Sequence, residues 1–259
     1  MRPTLHLSLL AFLLLQLHSH ANADCEPATC GNLTLRYPFW LGDSKQQTPS
    51  PCGPPAFEIW CAERSVASLR YTSFHVLDID YANNSLIVSN TGVAAATHDG
   101  VCNTYFNMSI NLSFGPFTIG HRNRALCFLH NCNGTAPSGP GYVNATSNCS
   151  APIYAYLGGT YHWGKPPPEI ATGGCTYSYL PVLVKEAEIT ITAANYSRLL
   201  KDGFVLEWEM ASVGDCGACA AIGGQCRYNK SMMPAFWCLC PGGGLAELAC
   251  AGESLSLTY

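Results

Sequence analysis

The sequence predicts an all-β, disulfide-rich protein, on three observations. The 24 Gly and 17 Pro residues punctuate the chain at roughly the dozen-residue spacing of short strands joined by turns. Apolar and polar residues alternate over short runs, and no long helical pattern interrupts them. Fifteen cysteines follow a leader made of Arg2, an apolar run from Leu7 to Leu17 and the small-residue exit Ala21-Asn22-Ala23. That leader reads as a secretory signal peptide over residues 1–23, too short to span a bilayer. The expected compartment is therefore secreted and extracellular, where thiols pair and exposed sequons are modified. Nine Asn-x-Ser/Thr sequons are glycosylation candidates: Asn32, Asn83, Asn107, Asn111, Asn133, Asn144, Asn148, Asn195 and Asn229.

The strands follow in order. Leu33, Leu35 and Tyr37 alternate with Thr34 and Arg36 until Pro38 ends the run. Phe57 to Cys61 is a short strand closed by cysteine. Phe74 to Ile79 runs up, Asn83-Asn84 supplies turn chemistry, and Leu86 to Val88 returns as a hairpin. In Asn107 to Phe114 strict alternation places both sequon asparagines on the wet face. Another strand covers Ala125 to Leu129. Residues 133–150, rich in Gly, Pro, Ser and sequons, read as a loop or linker. An aromatic, glycine-rich piece runs from Tyr154 to Trp163, then strands around Tyr179 to Val184 and Ile189 to Thr192. Phe204, Leu206, Trp208 and Met210 share one face of the clearest strand. Two modest antiparallel domains result, 24–132 and 151–242, with a cysteine-rich module from Cys216 and a tail over 243–259.

Composition narrows the partners. A formal charge of −4 with only 12 % charged residues speaks against nucleic acid, which needs a basic face. No second apolar run of about 18 residues anchors the chain in a membrane, and no lipid-anchor signal closes it.

The cysteine module Cys216-x2-Cys219-x6-Cys226-x11-Cys238-x-Cys240-x9-Cys250, with its turn at Gly242-Gly243-Gly244, resembles an epidermal-growth-factor-like module. Zinc is the competing reading of Cys-x2-Cys with a Cys-x-Cys, and a secreted chain favours disulfides over it. Neither a metal nor a cofactor is expected.

Three signatures recur together in one plant family. They are Cys30-Gly31, Tyr37-Pro38-Phe39-Trp40 and Cys52-Gly53 with Phe57 to Cys61; the hairpin strand Phe74 to Asp80 ahead of Cys102; and Phe204 to Trp208 before Cys216-x2-Cys219, Gly223-Gly224-Gln225-Cys226 and Phe236-Trp237-Cys238-Leu239-Cys240. In that order the chain resembles the ectodomain of wall-associated receptor kinases, of the leaf-rust-resistance-locus type. The resemblance implies a galacturonan-binding-type domain over 24–132 and a wall-associated-kinase-associated C-terminal domain over 151–242. It implies a pectic polysaccharide or oligogalacturonide as partner, with receptor kinases or peptides as further partners. Two departures stand out: the family carries Gly where Arg227 follows Cys226, and the chain stops at Tyr259 without glycine-rich loop, H-R-D or D-F-G, so no kinase chemistry is expected.

Cysteine parity leaves two pairings. In the first, the fourteen cysteines up to Cys240 all pair (Cys25, Cys30, Cys52, Cys61, Cys102, Cys127, Cys132, Cys149, Cys175, Cys216, Cys219, Cys226, Cys238 and Cys240), and Cys250 is the spare in an alternative ending. In the second, Cys216–Cys226, Cys219–Cys238 and Cys240–Cys250 close a six-cysteine module and an upstream cysteine is stranded.

A pectic ligand asks for cations, best as arginine forks. The densest set is His121-Arg122-Asn123-Arg124, although a run this short is ordinarily a solvated turn. Aromatic stacking is the second route, through Tyr37, Phe39 and Trp40 or through Tyr154, Tyr156, Tyr161 and Trp163, against the alternative that these rings fill the core. For Phe39 and Trp208 core is the reading; His121, Arg122, Arg124, Tyr161 and Trp163 are the candidate ligand-binding residues. No catalytic set is found. Asp78 and Asp80 share a strand face, as solvent-facing carboxylates on a hairpin commonly do. Three functional classes stay open: a secreted polysaccharide-binding module, a truncated or spliced receptor kinase, and an extracellular protein-interaction module.

Overall fold

The computed structural model describes residues 25–42, 50, 52–70, 72–90, 102, 115–133, 137, 139, 141–145, 149, 151–165, 174–185, 192–232 and 235–250. The leader, the strand expected within Asn107–Phe114, most of that expected at Ile189–Thr192, and the sequons Asn107, Asn111 and Asn148 lie outside the described residues. Mostly short antiparallel strands form, as expected, and the chain divides into two compact units that interleave in sequence instead of following one another. One takes its residues from Met1–Ala28, Thr34–Glu58 and Val213–Tyr259, the other from Thr29–Leu33 and Ile59–Ser212.

The chain opens with a small hairpin of β1 (Ala28–Cys30) and β2 (Leu33–Leu35), then β3 (Trp40–Leu41). Between them Tyr37-Pro38-Phe39-Trp40 acts as a packing device. Phe39 is buried edge-on against Phe57 at 5.1 Å, and the Trp40 indole N–H donates to Pro54 O at 3.0 Å. The Tyr37–Pro38 peptide is cis, and Cys25–Cys52 staples the segment. Gly53 follows from the same packing, because a Cβ there would lie 2.2 Å from Pro38 O and 2.5 Å from the Trp40 ring. Gly53→Ala is therefore expected to cost about 2 kcal/mol by overpacking. Thermal unfolding checks this, and an unchanged midpoint would mean that the Pro38 carbonyl yields.

The second unit holds two antiparallel sheets. The larger uses β4 (Glu58–Ala62), β5 (Val66–Leu69), β6 (Phe74–Asp80), β7 (Ser85–Asn90), β8 (Phe117–Ile119) and, far along the chain, β13 (Phe204–Trp208), in the order β4-β5-β6-β7-β13-β8. The β6–β7 turn is the one expected: Asn84 has φ +48°, and the Asp80 carboxylate accepts the N–H groups of Ala82 and Asn83. Phe74, Val76, Leu86, Val88, Phe204, Leu206 and Trp208 form the buried face, with Phe74 edge-on to Phe204 at 5.6 Å. Met210 departs from the expectation. The strand ends at Trp208, and Met210 begins a short helix, Met210–Val213, with 39 % of its surface exposed. On the opposite face the register aligns Asp80, Ser85, Glu207 and Thr118 in one row across four strands.

The smaller sheet orders β10 (Tyr142–Asn144), β11 (Tyr154–Thr160), β9 (Asn123–His130) and β12 (Thr176–Leu183) as β10-β11-β9-β12. β10 lies in a stretch whose composition reads as loop. Three residues are too few for alternation to show, and it is the Tyr142 ring, 5.0 Å from Tyr156, that seats the strand. β9 is central and buried along nearly all its length. On one side Ala125, Cys127 and Leu129 meet a cluster containing Tyr142, Tyr154, Tyr156, Tyr161 and Tyr179. The others among these tyrosines thus serve with Tyr161 as packing. Cys132–Cys175 and Cys102–Cys149 bridge this region, and Cys30–Cys61 joins the first strands of the unit. A helix absent from the sequence reading, α1 (Tyr196–Asp202), follows a turn in which Thr192 and Asn195 cap each other reciprocally. It buries Leu199 and Leu200 and ends at Gly203, φ +78°, where a Cβ would meet Val88 O at 2.2 Å.

The chain then returns to the first unit. A short helix, Cys216–Ala220, is capped by Asp215 and leads into a three-stranded sheet of β14 (Gln225–Tyr228), β15 (Phe236–Leu239) and β16 (Leu245–Ala246). The pairing is Cys216–Cys226, Cys219–Cys238 and Cys240–Cys250, which overturns the first of the two parity readings. β16 pairs with β15 and carries the chain on to Cys250, within reach of Cys240. Cys127 is the cysteine outside the seven disulfides. It is fully buried on β9, facing Tyr156 and Tyr179 on the flanking strands, with no cysteine opposite. Three sulfurs, of Cys238, Cys240 and Cys250, lie within 4.8 Å of one another. They belong to two adjacent disulfides, so none is the thiolate that zinc requires. Tyr37 completes the unit, its hydroxyl donating to Val213 O and its ring 5.5 Å from Phe236. Arg227, where the resemblance leads one to expect Gly, lies on β14 and donates to Gln225 Oε1 at 2.7 Å and to Cys25 Sγ at 2.5 Å.

Candidate functional site

The site grows from the crossing between the two sheets of the second unit. β8 ends at Ile119, and a turn through Gly120, His121 and Arg122 delivers the chain to β9. Asn123, fully buried, fixes that crossing. Its amide N–H groups donate to Gly120 O and Val205 O, both at 2.8 Å, and its Oδ1 accepts the Val205 N–H at 2.8 Å. Its own carbonyl accepts the N–H of Tyr161 at 2.8 Å. Arg124 governs the other wall: its guanidinium donates to Gly158 O at 2.8 Å and Leu157 O at 3.3 Å, where the β11 register slips between Leu157 and Thr160.

These constraints open a groove of about 470 Å³ lined by Phe117, Thr118, Ile119, His121, Thr160, Tyr161, His162 and Trp163. Trp163 stands at its rim with 47 % of its surface exposed, while Tyr161, at 8 %, forms the floor. Gly164, φ +69°, turns the chain just beyond. An exposed indole beside buried aromatic surface, with two threonine hydroxyls and two imidazoles around it, can stack a sugar ring and hydrogen-bond its edges.

Of the five residues expected from the sequence, the groove gathers His121, Tyr161 and Trp163 and leaves out the two arginines. Arg124 is committed to the β11 carbonyls. Arg122 is exposed and helps hold the Asp80 carboxyl below the usual carboxylate range, after the larger effect of the Asn83 side-chain hydrogen bond. His121 Nδ1 sits 3.5 Å from Glu207 Oε1. His121 and Arg122 are thus coupled to the acidic groups of the larger sheet, while Arg124 is not. Phe117, Thr118, Ile119, Thr160 and His162 went unnoticed in the sequence. β8 is only three residues long, and nothing local ties it to residue 160.

The first unit has its own cleft, about 540 Å³, bordered by Glu26, Arg36, Trp40, Gln225 and the disulfides Cys25–Cys52 and Cys216–Cys226. Tyr37 and Phe39 line it chiefly as packing, Phe39 being fully buried as expected.

Burial, and then the neighbouring Tyr179, push the Tyr161 phenol up to about 12. The folded state therefore holds this proton more tightly than the unfolded chain, whose tyrosines titrate near pH ~10. Its contribution to stability is complete below about pH 10 and is lost as pH rises toward about 12. Burial, followed by Tyr228, raises Tyr37 in the same direction. Tyr161→Phe should flatten part of the alkaline decline in urea midpoint; an unchanged slope would mean that Tyr161 titrates as it does in the unfolded chain.

Comparison with known proteins accords with this architecture. Residues 25–90 match the family model for the wall-associated receptor kinase galacturonan-binding domain, and residues 148–243 that for the wall-associated receptor kinase C-terminal domain. The chain belongs to the wall-associated receptor kinase ectodomain family. In Arabidopsis thaliana, leaf rust 10 disease-resistance locus receptor-like protein kinase-like 1.2 is 27 % identical over 226 residues, covering 85 % of this chain and 32 % of the relative. The kinase-like 2.1 protein of the same series is 26 % identical over 229 residues, covering 83 % and 33 %. The chain thus spans about a third of the length of these relatives, and both matched models are of ectodomain type. No solved structure matches. No helix among the described residues is long and apolar enough to cross a membrane.

Proposed function

We propose that this ectodomain is a secreted, non-catalytic module that binds cell-wall polysaccharide of the galacturonan class. The observation that carries the reading is Trp163, an exposed indole at the rim of a groove with an aromatic floor. The galacturonan class comes from the domain match over residues 25–90, which lies outside the groove's lining residues. Secretion and glycosylation fit the sequons, since Asn32, Asn83, Asn133, Asn144, Asn195 and Asn229 are all exposed. His121, Tyr161 and Trp163 are the contacts in this reading. Arg122 lies beside them, and Arg124 positions the wall.

The test is binding of the secreted, glycosylated protein to pectic oligosaccharides, with neutral wall oligosaccharides as controls. Trp163→Ala, at an exposed position, should leave folding intact and weaken binding at least about tenfold, as loss of an aromatic anchor does. Undiminished binding by that variant would remove the groove from the reading.

The cleft of the first unit favours a second role. Its walls include the epidermal-growth-factor-like cysteine module, a suitable surface for a peptide or co-receptor. Binding to a protein partner without binding to any glycan would move this role to first place.

A further inference from the structure

We infer that the Cys240–Cys250 bridge is a thiol-exchange site, at which a small monothiol caps Cys240 and Cys238 passes from Cys219 to Cys250. Two disulfides lie side by side in the first unit. Cys219–Cys238 is fully buried, whereas Cys240 and Cys250 are half-buried. Residues 241–245 beyond Cys240 are all exposed, and a Cβ on Gly242, Gly243 or Gly244 would meet nothing within 4 Å. A thiol therefore approaches the outer bridge from solvent. Cys250 Sγ lies 3.6 Å from Cys238 Sγ, so the outer bridge touches the inner one. In the first step the monothiol's thiolate attacks Cys240 Sγ, the Cys240–Cys250 bond breaks, and Cys250 leaves as a thiolate. Cys250 Sγ then attacks Cys238 Sγ. The Cys238–Cys250 bond forms, the Cys219–Cys238 bond breaks, and Cys219 takes up the proton that the monothiol gave up. One thiol is consumed and one is released, with a mixed disulfide left on Cys240, so no oxidant is needed. Attack across this contact is intramolecular, which favours it over a second monothiol arriving from solution. The exchange has a structural consequence. The helix Cys216–Ala220 is tied by Cys216–Cys226 and Cys219–Cys238, and afterwards keeps only the first tie. Ala220 and Gly224 line the cleft of about 540 Å³, so the exchange loosens one wall of that cleft.

The experiment incubates the secreted, glycosylated protein with reduced glutathione under native conditions, traps free thiols with N-ethylmaleimide, and maps the cysteines by peptide mass. Glutathione should appear on Cys240, together with a Cys238–Cys250 bridge and an alkylated Cys219. In Cys250→Ser the alkylation of Cys219 should fall at least about tenfold, since the attacking sulfur is gone. Glutathione on Cys240 with Cys250 alkylated and Cys219–Cys238 intact would overturn the inference. So would glutathione on Cys250, or no reaction at either bridge short of unfolding. Undiminished alkylation of Cys219 in Cys250→Ser would overturn it as well, because the inner bridge would then open without the outer one. The map of the unaltered protein decides the matter even where the variant fails to fold.

Discussion

Asn123→Ala is expected to lower the unfolding free energy by on the order of 4 kcal/mol, because it strands several buried polar groups at once. The Val205 N–H loses its acceptor, and the carbonyls of Gly120 and Val205 each lose a donor held at 2.8 Å. The Val205 carbonyl keeps the Gly120 N–H at 3.0 Å, so the N–H is the group left most exposed to the penalty. The alanine also leaves the volume of the amide unfilled in a site with no exposure. The effect reaches the groove, because Asn123 holds the turn that carries His121 and the backbone that carries Tyr161. Urea unfolding measures the stability, and ligand binding below the unfolding transition measures the groove. A loss under about 1 kcal/mol would indicate that water enters and satisfies the freed groups.

The second large effect belongs to the disulfide Cys219–Cys238. Replacing both cysteines by serine should destabilise the first unit by on the order of 4 kcal/mol, from release of the chain closure and burial of two hydroxyls. These sulfurs are the core there: Cys219 and Cys238 are fully buried and cluster with Cys226 and Phe236. Gly224 shows how closely the backbone wraps them, since a Cβ there would lie 2.5 Å from Cys238 Sγ and 2.8 Å from Cys219 Sγ. Limited proteolysis with peptide mapping reads the outcome. Early cleavage should fall within residues 213–250. A cleavage pattern like that of the unaltered protein would mean that the other two bridges suffice.

How much of this was legible in the sequence depended on the range of the interaction. The β6–β7 hairpin was readable because its turn chemistry and alternation are local, and Phe204, Leu206 and Trp208 announced their shared face by period alone. The stop after Trp208 was not legible, since Met210 continues the apolar pattern while the backbone turns helical. Trp163 and Tyr161 could be named as aromatic candidates, but not sorted into rim and floor, because the Asn123 contact that seats Tyr161 spans distant sequence. The surroundings of His121 and Arg122 were hidden for the same reason. Their counter-charges, Glu207 and Asp80, come from strands far away in the chain, and only the register of the sheet sets them opposite. The cysteines divided likewise: parity required one outside the bridges, and only the central position of β9 made it Cys127.

The Tyr37 phenol ends on the carbonyl of Val213, 176 residues later. On a ribosome that interval is time. The second unit has all of its strands once Trp208 has emerged, and domains generally fold as they are completed. The opening segment, with Phe39 and Trp40, must wait as an unfinished half until the cysteine module follows. During that delay Cys25 and Cys52 are already within 27 residues of each other and can bridge locally, and Phe39 can meet Phe57, whereas the contacts of Tyr37 with Val213 and Phe236 depend on the later segment. A chain interrupted before Cys216 would be expected to present a finished middle and an orphaned beginning.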